Sequence, residues 1–443
     1  MIIVGAGQVG ESIAADLQDT HEVVIVEEDS ERVEELTYSL DVLAIQGDGA
    51  SVSTLQEAGV EEAGMVIAST DTDETNIVVC STVKAVSDAF TVARIKDIEY
   101  LRTWEHSKTA FGIDFMVCTY LLAAESIVRV AGLPAARDVD SFADGRVQMA
   151  EFDVGSGSPI ANQTVSAADN YDSLTFAAIM RDDQLLIPKG ETVIKSEDRL
   201  VVIGTPRSVQ AFAGDVSPED AAGIAGEVVI IGGSAIGYHV ARLLEDRGVS
   251  PRILEQDADR ARWLAEKLPN TMVLETDATD IEFLEREHIG EADVVVAALD
   301  SDEKNLLASL LAKRLGAERS VAVIDQSEYV DLFEAVGIDV GINPREVVAE
   351  EITRFTRAGG AENVALVESG RAEVLEVEVD DTSVLAGRPL KESGPDLPGG
   401  VVIGAITRNG EYVVPRGETV VQVGDHVVAF LDAEHAEEVP AML

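Results

Sequence analysis

Basic residues are scarce in this sequence. Its 443 residues include 33 Lys+Arg, only nine of them lysine, against 82 Asp+Glu, which gives a formal net charge of −49. So many carboxylates repel the phosphates of nucleic acids and anionic membrane surfaces, which excludes both as direct partners. Because molar salt shortens the Debye length to about 3 Å and screens this self-repulsion, we expect a salt-rich, halophilic cytoplasm as the setting.

Cysteines and uninterrupted apolar segments are also rare. Cys80 and Cys118 are the two cysteines, too few for a disulfide framework, and they favour a reducing compartment. Glu125 and Arg129 interrupt the apolar segment 118–133, which therefore falls short of the about 20 residues of a membrane helix. The first residues form an apolar strand without the basic start of a signal peptide. We expect a cytoplasmic protein without direct membrane insertion, peripheral to the membrane only through a partner.

One unit occurs twice along the chain. Gly5 matches Gly232 and Pro188 matches Pro415, each pair 227 residues apart. Solenoid repeats have periods of about 20–50 residues, so two copies at this much longer spacing indicate a tandem duplication.

Each copy subdivides into two domains. Short Val/Ile strands alternate with helical patterns in the first part of each copy, which predicts βαβ units and a Rossmann-like parallel sheet. The second part has alternating strands and Gly/Pro turns, which predicts a small α+β domain. We name these the N-domains and C-domains of an overall α/β fold. The predicted boundaries are N-domain 1–117, crossover helix 118–136, C-domain 137–214, linker 215–226, second N-domain 227–342, second crossover helix 343–360 and second C-domain 361–443.

A dinucleotide fingerprint follows the first strand. In Gly5-x-Gly7-x-x-Gly10, the first glycine permits a tight turn, the second lets the backbone approach a pyrophosphate, and the third lets helix pack on strand. The N-terminus of the following helix offers free N–H groups to phosphates. Glu27 ends the second strand, where a carboxylate accepts ribose hydroxyls and repels a 2′-phosphate, so NAD is favoured over NADP. Such glycines alone also fit a simple turn, but strand, helix, acid and spacing agree here.

Further polar residues follow the later strands, at the sheet edge where ligands collect. Arg94 and Lys96 stand out in so acidic a chain as candidates to face a phosphate, although each alone also fits a surface ion pair. The predicted site of the first copy comprises Gly5, Ala6, Gly7, Gln8, Val9, Gly10, Glu27, Glu28, Asp48, Gly49, Thr70, Asp71, Glu74, Arg94 and Lys96.

The second copy has a weaker fingerprint. Ser234 replaces the close-approach glycine, and Val323 and Asp325 align with Arg94 and Lys96, so the positive charges are lost. We expect a retained fold with an altered or vestigial site, or with a site specialised for a less anionic ligand. Its candidate residues are Gly232, Ser234, Ala235, Ile236, Gly237, Glu255, Asp277 and Ala278.

The sequence offers no catalytic constellation. A dehydrogenase of this fold needs a proton donor or acceptor beside the nicotinamide. The chain lacks a Tyr-x-x-x-Lys pair, a Gly-x-x-x-x-Gly-Lys-Ser/Thr loop, a zinc-spaced His/Cys cluster and a Gly-x-Ser-x-Gly elbow. We therefore expect binding without catalysis and no metal. The histidines read as surface or helix residues and are His21, His106, His239, His288, His426 and His435.

Several motifs together carry a family resemblance. They are Ile-Val-Gly-Ala-Gly-Gln-Val-Gly at 3–10, Gln-Gly-Asp-Gly at 46–49, Thr-Asp-x-Asp-Glu-x-Asn at 70–76, Leu-Ala-Lys-Arg-Leu-Gly-Ala at 311–317, Tyr-Val-Asp-Leu at 329–332 and Gly-Asp-His-Val at 424–427. With these motifs in register over the whole chain, the sequence resembles the TrkA family, soluble regulatory subunits of Trk potassium-uptake systems built of two RCK (regulator of potassium conductance) units.

The resemblance implies a gating-ring subunit that docks on a membrane potassium-transporting subunit of the Trk type and assembles as a homotetramer. It implies NAD(H), or ATP and ADP in some members, as N-domain ligands, and C-domains that act as effector or assembly modules. It also implies crossover helices, such as 119–132, that pack on a neighbouring N-domain. Two alternatives stay open: an RCK-type regulator of another cation channel or antiporter, and an NAD-dependent oxidoreductase.

Overall fold

The structure is a computed structural model of the chain. It describes all residues except 19, 108–109, 134–135, 144, 183, 217–225, 279, 358–362, 368–370, 433–434, 436–437 and 441. Most of the predicted linker 215–226, the end of the predicted crossover segment 343–360 and the start of the predicted domain 361–443 therefore lie outside the described residues. Two units are present, Met1–Ile127 with Val228–Thr353 and Val128–Glu227 with Arg354–Leu443. Each unit combines corresponding parts of both repeats.

The first repeat begins with a parallel sheet of order β3-β2-β1-β4-β5-β6. This is the strand order of dinucleotide-binding folds, and it confirms the predicted Rossmann-like architecture. All residues of the central strand β1 are buried, because helices cover both faces of such a sheet. The elements are β1 (Ile2–Val4), α1 (Gln8–Leu17), β2 (Val24–Glu27), α2 (Ser30–Ser39), β3 (Leu43–Gln46), α3 (Val52–Glu57), β4 (Met65–Ala68), α4 (Asp73–Val86), β5 (Phe90–Ile95), α5 (Ile98–His106), β6 (Phe115–Cys118) and α6 (Thr119–Gly132).

The remainder of the first repeat is a small α+β domain. Its five strands pair antiparallel in the order β10-β9-β11-β8-β7. The elements are β7 (Asp138–Phe142), β8 (Val147–Asp153), α7 (Val165–Ala168), β9 (Leu174–Arg181), β10 (Gln184–Leu186), β11 (Arg199–Gly204) and α8 (Pro206–Val216).

The second repeat has the same two topologies, with sheet orders β14-β13-β12-β15-β16-β17 and β18-β19-β22-β20-β21. Its elements are β12 (Val228–Ile231), α9 (Ala235–Asp246), β13 (Arg252–Glu255), α10 (Ala258–Lys267), β14 (Met272–Glu275), α11 (Ile281–Arg286), β15 (Val294–Ala297), α12 (Asp302–Leu315), β16 (Arg319–Val323), α13 (Val330–Ala335), β17 (Val340–Ile342), α14 (Pro344–Arg357), β18 (Asn363–Val367), β19 (Ala372–Glu378), α15 (Leu390–Ser393), β20 (Val402–Arg408), β21 (Glu411–Val413) and β22 (His426–Asp432).

Helix α14 of the second repeat completes the core of the first N-domain. Val348, Ala349 and Ile352 are fully buried and belong to the same apolar cluster as Ile3 and Ile13. A crossover helix therefore packs on a neighbouring N-domain, as the resemblance implies, but this neighbour belongs to the same polypeptide. The two N-domains form one unit inside a single chain.

The two C-domain sheets share a core in the same way. Met149 and Val201 of the first sheet lie in one apolar cluster with Val374 and Phe430 of the second. A hydrogen bond also joins the two C-domains: the Ala143 amide donates to a Glu376 carboxylate oxygen at 2.9 Å.

Each C-domain also contains a buried two-bond ion pair. The Arg181 Nε and Nη2 atoms each donate to a separate oxygen of Asp198, both at 2.6 Å. Arg408 and Asp425 repeat the arrangement at 2.7 Å. A third donor, the Lys195 amide, reaches the Asp198 carboxylate at 2.7 Å. The pair fixes β9 against the turn that begins β11, which explains its presence in both repeats.

A buried carboxyl group on β8 makes the first C-domain sensitive to pH. Burial raises the pKa of Glu151 from 4.5 to about 8, and the nearby charge of Asp138 adds to the shift. In this range the unfolded chain releases the proton while the folded chain retains it, so stability falls as pH rises from about 4.5 to 8. Glu151→Gln should therefore be more stable than the parent at pH 8, by about 1 kcal/mol or more, in urea unfolding at constant molar KCl.

The exposed Glu378→Gln, at the end of β19, is the control. Its free energy of unfolding should equal that of the parent both at pH 8 and at the acid end of the range, about 4.5. An equal pH dependence of Glu151→Gln and the parent would contradict the assignment.

The described residues include no helix that is both long and apolar enough to cross a bilayer. Cys80 and Cys118 are buried free thiols.

Candidate nucleotide site

A cleft of about 630 Å³ opens at the carboxyl edge of the first N-domain sheet. Open α/β sheets bind ligands at this edge, and small-molecule sites have volumes of about 300–1,000 Å³. The lining residues of this first cleft are Val4, Gly5, Ala6, Gly7, Gln8, Val9, Val26, Glu27, Glu28, Asp29, Arg32, Gly47, Asp48, Gly49, Ser69, Thr70, Asp71, Thr72, Thr75, Arg94 and Arg345.

The N-terminus of α1 opens into the first cleft. Gly7 is its N-cap residue and, having no side chain, makes no capping hydrogen bond. A Cβ atom built on Gly7 meets no other atom within 4 Å. The amides of the first helical turn thus remain available to an anion, and the space where a side chain would stand is empty.

The other two fingerprint glycines serve the fold. Gly5 has a φ of +96°, and a Cβ there would lie 2.9 Å from the Thr70 amide nitrogen. A Cβ on Gly10 would lie 1.9 Å from the Gly5 carbonyl oxygen, so this residue lets α1 pack on the β1 loop and does not line the cleft. Gly7 alone among the three is not required by the surrounding protein.

Carboxylates line the cleft at the ends of β2 and β3. Glu27 accepts hydrogen bonds from the Ala6 amide at 2.6 Å and the Asp29 amide at 3.0 Å. These bonds hold the carboxylate against the glycine loop at the end of β2. Asp48 accepts from the Ala50 amide at 2.8 Å, which fixes the loop after β3.

Of the two predicted basic residues, Arg94 lines the first cleft and Lys96 does not. Arg94 lines the cleft but is 3% exposed, and it donates to Thr119 Oγ1 at 3.1 Å and to the Thr70 carbonyl at 3.3 Å. Burial lowers the pKa of Arg94, and the Asp71 charge partly offsets this effect. Its Nε and Nη1 donors are therefore already bonded to the start of α6 and to the backbone carbonyls that follow β4.

Lys96 and Glu74 do not line the first cleft. Lys96 Nζ donates to the Asp71 carbonyl at 3.0 Å and to its carboxylate at 3.3 Å, and Glu74 accepts from the Tyr100 hydroxyl at 2.9 Å. Partial burial raises the pKa of Asp71, but Lys96 and Arg94 outweigh this and hold it below its usual value. Of the predicted residues in the first copy, only Gly10, Glu74 and Lys96 lie outside the cleft lining.

Two arginines that the sequence did not single out line the cleft instead. Arg32 on α2 donates from Nε to the Ala6 carbonyl at 3.1 Å and pairs with Glu35 at 2.9 Å. Arg345 comes from α14 of the other repeat and bonds the Gln8 side chain. Arg32 lies close to Glu27 in the sequence, so its place at the cleft follows from local structure. No local pattern links residue 345 to residue 8.

The second fingerprint has a different helix start. Ser234 is the N-cap of α9, and its hydroxyl accepts from the Gly237 amide at 3.2 Å. The serine therefore occupies a donor that Gly7 leaves free in the first copy. Arg260 donates to the Gly233 and Ser234 carbonyls at 2.6 and 3.3 Å, a contact like that of Arg32 with the Ala6 carbonyl in the first copy.

The other second-copy residues keep their structural roles. Glu255 accepts from the Gly233 amide at 2.8 Å, like Glu27. Gly232 has a φ of +103°, like Gly5. The buried members are Ile236, Gly237 and Ala278, and Asp277 is exposed while Ala235 is partly buried at the start of α9.

Tyr120 stands where the first site has Arg345. Each is the second residue of its crossover helix, α6 or α14. Val323, the counterpart of Arg94, is buried. The second fingerprint thus lacks counterparts of the Arg94 and Arg345 charges, although Arg260 corresponds to Arg32, and its helix N-terminus is capped by the protein.

No group of three or more His, Cys, Asp or Glu side chains in the described part of the chain is arranged to hold a metal ion. None of the six histidines lines the first cleft. The cleft therefore presents amide donors, arginines and carboxylates, which are groups that bind and orient a nucleotide.

Comparisons with known proteins agree with this geometry. The TrkA-N domain family matches residues 1–119 and 228–344, and the TrkA-C domain family matches 149–214 and 374–443. The Trk system potassium uptake protein TrkA homolog 1 of Methanosarcina mazei is 36% identical, over 99% of this chain and 98% of its own. The TrkA homolog of Archaeoglobus fulgidus is 35% identical over 99% and 98%. The GsuK channel bound to NAD has a similar fold, with a TM-score of 0.61 and 20% identity over 100% of this chain and 79% of that one.

Proposed function

The chain belongs to the TrkA family, and from that membership and the first cleft we propose that it is a nucleotide-binding regulatory subunit of a membrane potassium-transport system. The open N-terminus of α1 at Gly7 carries the nucleotide assignment. It offers unpaired amides to phosphates beside a ribose acid, Glu27, in a cleft of suitable volume.

The proposed ligands are NAD or NADH, with ATP or ADP as the alternative occupants. Glu27 favours a ribose with free hydroxyls over one with a 2′-phosphate. The GsuK channel, which has a similar fold, has been solved bound to NAD, and this supports the same class of ligand here. We propose one nucleotide per chain, because the Ser234 cap and the missing charges oppose binding at the second fingerprint.

Regulation follows from the composition of the first cleft, because the two N-domains both contribute to it. Glu27, Gly7 and Arg94 come from the first repeat, whereas Arg345 comes from the second. A phosphate that contacts Arg345 therefore binds better in one arrangement of the two N-domains than in another. A ligand shifts a conformational equilibrium only through such differential affinity.

Arg345→Gln tests this coupling. We expect nucleotide affinity to fall by about 10- to 100-fold, because a charge-assisted hydrogen bond contributes about 1.5–3 kcal/mol. Isothermal titration with NADH and ATP measures the change. The remaining affinity reports the contribution of the first N-domain alone.

Arg262→Gln is the matched control, since Arg262 lies on α10, pairs with Asp259 at 2.9 Å and is well exposed. It should bind nucleotide like the parent. Unchanged affinity in Arg345→Gln would remove the second repeat from the site.

At the level of assembly, we propose that four copies form a ring of eight RCK units on the cytoplasmic face of a Trk-type membrane subunit. The names of the relatives support the potassium-uptake partner. The C-domains, with their shared core, would serve as assembly or effector modules. The net charge of −49 fits operation at high salt.

Potassium flux in reconstituted vesicles tests the regulatory proposal. The Trk-type membrane subunit of the same organism is incorporated with and without this chain, and uptake is measured with NAD, NADH, ATP and ADP. We expect uptake to depend on both the chain and a nucleotide, and to lose the nucleotide dependence with Gly7→Asp. Binding of nucleotides without any change in flux would refute regulation of this transporter. Affinity purification from membranes in molar KCl identifies a different cation channel if that is the client.

A further inference from the structure

A second cleft, of about 830 Å³, lies between the two N-domains within the first unit. Residues of α4, α5 and the loops before them form one wall, and residues of α9 and α10 form the other. It adjoins the second fingerprint through Ala235 and Arg260, but its lining includes none of Gly232, Ser234, Gly237 or Glu255. Its lining is Asp71, Thr72, Asp73, Glu74, Lys96, Asp97, Ile98, Glu99, Tyr100, Arg102, Tyr120, Ala235, Tyr238, His239, Arg260, Trp263 and Lys267.

Aromatic rings form the α9–α10 wall of the second cleft. The Tyr238 and Trp263 rings pack with centroids 5.0 Å apart, and the Arg260 guanidinium lies 4.2 Å from the Trp263 ring centroid. Tyr238 also contacts the His239 ring, at 5.2 Å between centroids. Such a wall provides π faces and an adjacent cation, which together suit a planar ring that carries negative charge.

The His239 imidazole lines the second cleft and is not hydrogen-bonded to another described side chain. It is 5% exposed, lines the cavity, and has no hydrogen bond to any described residue. Burial, followed by the charges of Arg242 and Arg102, lowers its pKa to about 4, so the ring is neutral at physiological pH and offers one donor and one acceptor.

The charges of the two walls differ. On the α4–α5 wall the acids are engaged by the protein: Asp73 accepts from the Lys96 and Asp97 amides at 2.9 Å, and Glu99 pairs with Arg102 at 2.5 Å. The α9–α10 wall has no acid.

That wall instead carries two basic residues with free donors. Lys267 has no ion-pair partner among the described residues. Arg260 uses Nε and Nη2 on backbone carbonyls and leaves Nη1 free of hydrogen bonds to described residues. In a chain of net charge −49, an acid-free wall with two cations is suited to an anion.

The duplication provides an internal comparison. The corresponding cleft beside α1 has a volume of only about 200 Å³ and is lined by Gln8, Glu11, Ser12, Ser327, Asn343, Arg345 and Glu346. Glu11 and Ser12 occupy the places of Tyr238 and His239. The fold therefore forms the same helix pair without aromatic or imidazole groups, and these groups belong to the second cleft alone.

We propose that the second cleft binds a planar heteroaromatic molecule with an anionic group, independently of the nucleotide in the first cleft. The ring would stack on Trp263 and Tyr238, a ring heteroatom would bond His239, and the anionic group would lie between Arg260 and Lys267. Phosphate and carboxylate share this chemistry, so AMP and nicotinate are the two probes, and adenosine and nicotinamide are their neutral counterparts.

Tryptophan fluorescence isolates the site, because the chain has two tryptophans and only Trp263 lines this cleft. Trp104, whose indole donates to the Ile113 carbonyl at 2.8 Å, is replaced by Phe to leave one reporter. Adding Gly7→Asp removes binding at the first cleft. In this double variant, AMP or nicotinate should cause saturable quenching, and the neutral counterpart should bind about tenfold more weakly.

His239→Leu and Lys267→Glu should each weaken the response by about tenfold or more, whereas Lys304→Glu, an exposed lysine on α12 paired with Asp300, should not. The absence of saturable quenching by both anions overturns the proposal, as does quenching that both cleft variants leave unchanged. Quenching of Trp104→Phe that disappears when Gly7→Asp is added also overturns it, since the probe then occupies the first cleft. This readout is separate from potassium flux, so each proposal can fail alone.

Discussion

Gly7→Asp is expected to abolish nucleotide binding while leaving the protein folded. The aspartate carboxylate would enter the empty space at the start of α1, where no atom lies within 4 Å of a Cβ. There it would accept from the helix amides that a phosphate needs and would repel the phosphate. Like charges placed together cost several kcal/mol, so affinity should fall by about 100-fold or more.

Stability should stay constant or rise slightly, because aspartate is a better N-cap than glycine by roughly a few tenths of a kcal/mol. Isothermal titration with NAD, NADH, ATP and ADP, together with thermal unfolding, measures both effects. Gly64→Asp is the matched control: Gly64 is exposed, also has open space around its Cβ position, and precedes β4 at the opposite end of the sheet. Full affinity in Gly7→Asp would place the ligand elsewhere.

Asp198→Ala should strongly destabilise the C-domains. Asp198 is 1% exposed and accepts two bonds from Arg181 and one from the Lys195 amide. Its removal leaves the partly buried Arg181 guanidinium without its anion and the Lys195 amide without its acceptor. Breaking a fully buried pair costs about 3–5 kcal/mol, so we expect a loss of about 2–3 kcal/mol here. Urea unfolding followed by far-UV circular dichroism in molar KCl measures the loss. Both tryptophans, Trp104 and Trp263, lie in the N-domain unit, so their fluorescence provides a separate record of that unit.

Asp153→Asn is the comparison variant. Asp153 pairs with Arg199 at 3.1 Å, but its side chain is 60% exposed, and exposed pairs contribute about 0–1 kcal/mol. Equal urea midpoints for Asp198→Ala and Asp153→Asn would mean that burial does not determine how strongly these ion pairs stabilise the C-domain.

Local sequence patterns were sufficient to predict the N-domain sheets. Val/Ile strands, alternating helices and the position of Gly5 predict a parallel sheet with a turn at its carboxyl edge, and the observed strand order agrees. These features depend on neighbours within a few residues, so periodicity and turn chemistry record them. The repeat was equally visible, because Gly5 recurs as Gly232 and Pro188 as Pro415.

Local sequence patterns did not predict contacts between residues that are far apart in the sequence. Arg345 reaches a cleft formed by residues 4–94, and only the pairing of the two N-domains brings it there. Arg94 illustrates the opposite case: its position at a strand end was predictable, but its bonds to Thr70 and Thr119 depend on how α6 packs. Charge at a sheet edge therefore predicts proximity to a ligand and does not predict which basic group is free to bind it.

Comparing the fingerprint glycines of the two copies shows which positions the fold requires and which position is left to a ligand. Gly5 and Gly10 have counterparts in Gly232 and Gly237, and all four are restricted by nearby backbone atoms. The middle position is free of such restriction in the first copy and became Ser234 in the second. Because the fold tolerates that change, the position is available to selection for or against a ligand.

Helix α14, which lies in the core of the first N-domain, has a consequence for how the two halves diverged. A symmetric dimer of identical chains presents every substitution twice, once on each side of its axis. Fusion of the two copies in one polypeptide removes that constraint and also keeps the partner at a fixed high local concentration, independent of expression level. One crossover helix could then carry Arg345 to a phosphate site while the other carried Tyr120 to an aromatic cleft. Covalent linkage thus converts a twofold assembly into a heterodimer encoded by one gene, with two faces that evolve separately.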